Sequence, residues 1–78
     1  MDHNHNHNQY QKFAEVFRDA LDRVNHAEHA HLISEIEAAL ARHSILVIRN
    51  NLANVLAEDN PSFDFVKFAT DCTPNPNN

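Results

Sequence analysis

Histidine is the side chain with the most chemistry to offer in this sequence, and three of the seven copies crowd together at His26, His29 and His31. At helical spacing His26 and His29 (i, i+3) share a face, and His31 with Glu35 (i, i+4) forms a second pair. Imidazole nitrogens and a carboxylate suit zinc or nickel, yet a structural zinc takes four ligands and the single cysteine cannot complete the set. These four residues are weak metal candidates, and a site shared across a two-fold dimer is the economical way to use them. The expectation is that they are ordinary helix-surface groups and that the protein uses neither metal nor other cofactor. A pH-responsive surface is the remaining role for them, because the histidines outnumber the net charge of −5 and full protonation would reverse its sign.

The carboxylates are no more suggestive of catalysis. General acid–base work needs two acids facing one another in unlike environments. Glu35 and Glu37 lie two apart and point different ways on a helix, Asp19 and Asp22 read as a solvated face, and Asp19 with Arg23 (i, i+4) reads as a surface ion pair. Cys72 falls in helical step with Phe65 and Phe68, which suits an inert packed thiol better than a nucleophile. Ser34, Ser44 and Ser62 read as helix-surface or capping residues. The absence of glycine excludes phosphate-cradling loops and dinucleotide fingerprints. No catalytic residue is assigned, and the expectation is a protein that is not an enzyme.

With 6 basic against 11 acidic residues, and the basic ones dispersed, nucleic acid is an improbable partner. The longest aliphatic run, Ile45 to Ile48, is far too short to span a membrane. One cysteine and no basic-then-apolar leader point to a cytoplasmic location.

The elements that must carry these residues follow from spacing. Residues 1–8 alternate histidine with asparagine, read as an appended metal-affinity tail, and are left out of the fold; residues 73–78 alternate proline and asparagine and read as a frayed tail. Between them, residues 9–72 form one helical domain. Tyr10, Phe13, Phe17, Ala20, Leu21 and Val24 share a stripe, predicting a first amphipathic helix. Leu32, Ile33, Ile36 and Leu40 form a stripe rotated by roughly 130°, which predicts a break near Asn25, with Asn25 as cap and Glu28 answering it. Ile45, Ile48, Leu52, Val55 and Leu56 are out of phase again by roughly 140°, predicting a corner at Arg42 to Ser44 and a third helix capped by Ser44, with a curved continuous helix as the alternative because no proline or glycine enforces the break. Asp59-Asn60-Pro61-Ser62 is the clearest stop, and a short fourth helix is expected over residues 64–71. The fold class is therefore all-α: a compact bundle of three main helices plus a short C-terminal one. Its structural anchors are Phe13, Phe17, Leu52, Phe63, Asp64 and Phe68, with Phe65, Ala69 and Cys72 also available to pack.

Ile45-Leu46-Val47-Ile48 covers every side of one helical turn, so part of it must face away from a single core. Ile45, Leu46, Val47, Arg49 and Asn50 are accordingly the candidate partner-binding residues, while Asn50, Asn51 and Asn54 are poor helix formers that fit a polar contact or an exposed face.

The segment Asn60-Pro61-Ser62-Phe63-Asp64-Phe65-Val66-Lys67-Phe68, closing at Cys72, resembles the C-terminal signature of a family of small uncharacterised tailed-bacteriophage proteins. The opening Tyr10-x-x-Phe13-Ala14-x-x-Phe17-x-x-Ala20 is similar to the N-terminal helix of the same group. The resemblance implies a phage accessory protein in the cytoplasm of an infected host cell and transfers no activity. Together with the leftover aliphatics it points to a non-enzymatic interaction module that binds a host or phage protein or associates with itself. The alternatives are an acidic nucleic-acid mimic that inhibits a host enzyme, and a metal-linked assembly through His26, His29 and His31.

Overall fold

The computed structural model describes the backbone of residues 5–74 and the side chains of residues 10–74. Among these the chain is all-helical: α1 (His5–His29), α2 (Glu35–Asp59) and α3 (Phe65–Asp71). The expectations for residues 1–4 and 75–78 lie outside the described residues.

α1 and α2 are antiparallel arms of a hairpin. At the open end Asn60 Nδ2, just past α2, donates to Tyr10 Oη at 3.0 Å; near the closed end Arg42 in α2 meets Asn25 and Glu28 in α1. The side chains of α1 that face its partners repeat as Phe13, Ala14, Phe17 and Leu21, the i, i+1, i+4, i+8 rhythm of an amphipathic helix. α3 lies across the open end. There Ala14, Phe17, Ala53, Phe68 and Cys72 form the buried cluster, with Phe13, Ile45, Leu52, Leu56 and Phe63 packed around it. The rings make a chain: Tyr10 to Phe63 at 5.3 Å, Phe63 to Phe68 at 5.4 Å and Phe68 to Phe17 at 6.3 Å, in edge-on or tilted pairings that place positive ring edges on negative faces. α3 takes its start from Asp64, whose carboxylate accepts from Lys67 N at 3.1 Å, and a Lys67–Asp71 ion pair braces its outer side.

Four expectations about boundaries are corrected. Helix begins at His5, inside the stretch read as a tail, because with no glycine or proline to stop it a formed helix extends through histidine and asparagine at a small cost per residue. α1 runs straight through Asn25, whose Oδ1 accepts from Arg42 Nη1 at 2.7 Å instead of capping a helix. The turn comes five residues later, and its device is backbone geometry: His31 takes the left-handed conformation (φ 60°), Leu32 N donates to Ala27 O at 2.8 Å and His31 N to Glu28 O at 3.0 Å. This is a Schellman stop built on histidine where glycine is usual. Ser34 then opens α2 with a reciprocal capping box, its Oγ accepting from Glu37 N (3.0 Å) while Glu37 Oε1 accepts from Ser34 N (2.8 Å).

The corner expected at Arg42 to Ser44 does not exist; α2 is one continuous helix of 25 residues. The change of phase read as a corner has another cause, since α2 is apolar on two opposite sides. Ile45, Leu52 and Leu56 face the core, whereas Leu32, Ile36 and Leu40, expected to be buried, are exposed. Phe65, expected to pack, is also exposed, at 45%. At the other end Asn60 sits at φ −140°, ψ 103°, the extended geometry that the following Pro61 imposes, so α2 stops at Asp59. Thr73, read as part of a frayed tail, is tied back: its N donates to Thr70 O and its Oγ1 to Ala69 O.

Candidate interaction surface

The outer side of α2 is rich in β-branched residues and asparagine, middling helix formers that are held helical by the packing of the inner side. From Ala38 to Ala57 it contains neither glycine nor proline nor any acid, and its two charged residues, Arg42 and Arg49, are half-buried. Arg42 leans onto α1, donating to Asn25 and pairing with Glu28 Oε1 at 3.0 Å. Arg49 is held by its neighbour, Nε and Nη2 both donating to Asn50 Oδ1 at 3.2 and 2.9 Å. The exposed residues in this span are therefore aliphatic side chains, three asparagines, Ser44 and His43, with no acid, lysine or arginine among them. Ile36 is 73% exposed, Leu40 63%, Ile48 58% and Val55 58%, with Val47 also outside. The solvent-facing side of α1 is the opposite case, carrying Lys12, Glu15, Arg18, Asp19 and Asp22 along an open, shallow furrow.

The five partner-binding candidates are split by this geometry. Ile45 turns inward against the core cluster, and Leu46 and Arg49 are half-buried; Val47 and Asn50 are exposed. Ile45 is thus corrected from docking residue to packing residue, because in an unbroken helix it shares the inward side with Leu52 and Leu56. The outward set that spacing missed is Ile36, Leu40, Ile48 and Val55. For Ile36 and Leu40 the signal was present, as the offset between the two apolar stripes, and was assigned to a bend; Ile48 and Val55 were grouped with the inward stripe and stand exposed beside it. Asn51 and Asn54 lie on this exposed side as well.

The remaining candidates do not converge. His26 and His29 occupy the last turn of α1, His31 the connecting turn and Glu35 the first residue of α2, all exposed. Among the described residues no group of three or more His, Cys, Asp or Glu side chains is placed to hold a metal ion. Cys72 is fully buried; desolvation pushes its thiol up from 9.0 to about 11, against the opposing pull of the Arg49 charge. A thiol so placed stays protonated near neutral pH and has no nucleophilic form to offer. Ser34 Oγ is committed to its cap. Asp19 holds Arg23 at 2.9 Å on the exposed face of α1. Among the described residues no helix is long and apolar enough to cross a membrane.

No protein-family model, no curated protein and no solved structure matches this chain.

Proposed function

We propose that the protein is a non-enzymatic interaction module, a phage accessory protein whose outer α2 face binds an apolar helical surface of another protein in the infected cell. The observation that carries this reading is the row of exposed aliphatic side chains Ile36, Leu40, Val47, Ile48 and Val55, free of acids from Ala38 onward, on a helix whose other side already fills the core. Monomeric proteins seldom leave such a patch uncovered, since each aliphatic side chain withdrawn from water contributes about 2 kcal/mol. The inert, buried Cys72 and the capping role of Ser34 support binding over catalysis.

The acidic-mimic alternative has less behind it. Asp19, Glu28 and Asp71 are each paired with a basic side chain, and Lys12, Arg18 and Arg23 interrupt the acids of α1, so the negative charge does not run in rows at phosphate spacing.

Affinity capture from a host lysate, with wild type and a Leu40→Glu, Val47→Glu pair as bait, tests the proposal. A specific protein, including the chain itself, retained by wild type and released by the double variant is the expected result. Equal retention by both baits refutes a role for this face.

A further inference from the structure

We infer that the occupant of the outer α2 face is a second copy of this chain, the two α2 helices running antiparallel about a two-fold axis between His43 and Ser44; this rests on the interaction reading above and names its partner. Charge is the first support. A protein of net charge −5 is repelled by most of another copy of itself, and α1 presents Lys12, Glu15, Arg18, Asp19 and Asp22 to solvent. Between Ala38 and Ala57 the exposed side of α2 carries no acid and no lysine, and Glu37 just before it falls opposite Asn50 of the second copy, so two copies meet there without bringing carboxylates together.

Spacing is the second support. Ile36, Leu40 and His43 advance by four and three; Asn51, Val47 and Ser44, taken backwards, step by four and three. All six lie on α2 and are exposed. The strip therefore reads the same from either end, which is what an isologous interface requires of a single helix. Antiparallel pairing on this axis sets Leu40 against Val47 of the second copy and His43 against its Ser44, and each contact occurs twice. Ile36 falls beside Asn51 of the second copy, an aliphatic side chain against an amide that gains no partner from it, which weakens the pair.

Size sets the strength. About 20 residues of helix give a strip about 30 Å long. A third of the helix circumference over that length is on the order of 400 Å² per copy, half of the roughly 800 Å² that a standard interface takes from each partner. The dimer is accordingly weak and reversible, at or below the low end of specific interfaces.

Sedimentation equilibrium from about 10 µM to about 1 mM, together with oxidative cross-linking, tests this. The mass should rise from one chain towards two across that range, and Leu40→Glu, at unchanged helicity, should weaken association at least tenfold. Ser44→Cys should form covalent dimers, because two such residues flank the axis, while Asp22→Cys on the outer side of α1 should not; Cys72 is buried and stays out of the reaction. One-chain mass at about 1 mM with no Ser44→Cys cross-link overturns the proposal, as does association indifferent to Leu40→Glu or equal cross-linking at Asp22→Cys. If the chain stays monomeric while a host protein captured by wild type is lost from Leu40→Glu, the occupant is wrong and the interaction reading survives; if Leu40→Glu changes neither measurement, both fall.

Discussion

Arg42 and Glu28 meet across the hairpin at 3.0 Å, both half-buried, with Asn25 Oδ1 accepting a second bond from the same guanidinium at 2.7 Å. This is the polar clasp of the closed end, where α3 does not reach and where small Ala38 lets the helices approach. Arg42→Ala should lower stability by about 1 kcal/mol, the range for a partly shielded ion pair with one charge-assisted hydrogen bond. Urea unfolding of Arg42→Ala, Glu28→Ala and the double variant should give a coupling near 0.5 kcal/mol. Strict additivity would mean that the pair contributes nothing.

The left-handed turn at His31 carries the strain of a Cβ in a conformation where glycine has none. His31→Gly should therefore raise the thermal midpoint by several degrees, corresponding to up to about 1 kcal/mol, and His31→Val should lower it, because a β-branched residue resists positive φ more strongly. A His31→Gly variant no more stable than wild type would place the helix stop elsewhere.

Ser34→Ala removes the acceptor for Glu37 N and opens half of the capping box, at a cost of about 1 kcal/mol. Ser34→Asp should retain most of that stability, since aspartate caps comparably and sits well at a helix N-terminus. Comparing the two by chemical denaturation separates capping from the loss of a surface hydroxyl.

Cys72 makes stability fall at high pH. Burial favours the neutral thiol, so the folded chain holds its proton up to about 11 while the unfolded chain releases it near 9.0. Between those values the unfolded state binds fewer protons than the folded one, and stability declines as pH rises through the window. Denaturation of wild type and Cys72→Ala from pH 8 to 11 should show a gap between them that narrows with pH. A constant gap would mean that the thiol does not titrate differently in the two states. The native thiol should also be slow towards disulfide reagents at pH 8 until the chain is unfolded.

Phe68 and Leu40 are a matched contrast in burial. Phe68→Ala empties the centre of the ring chain and should cost about 3–5 kcal/mol, enough to unfold most of so small a domain. Leu40→Ala removes a side chain already in water and should change monomer stability by less than about 0.5 kcal/mol, measured by circular dichroism at low concentration.

Local chemistry was enough to establish the helical class, the stop at Asn60-Pro61 and the amphipathic first helix. Each of those depends on residues near one another in sequence: the missing glycine, the restriction proline places on its predecessor, and an apolar repeat that one helix can bury. Where the chain reverses, and which stripe of α2 faces inward, depended on tertiary structure. An apolar stripe records only that its residues prefer to leave water, and cannot distinguish a helix that bends to bury two stripes from a straight helix with one stripe left outside. That choice was made by α1 and α3, which reach Ile45, Leu52 and Leu56 together, while the turn at His31 keeps Leu32, Ile36 and Leu40 beyond them.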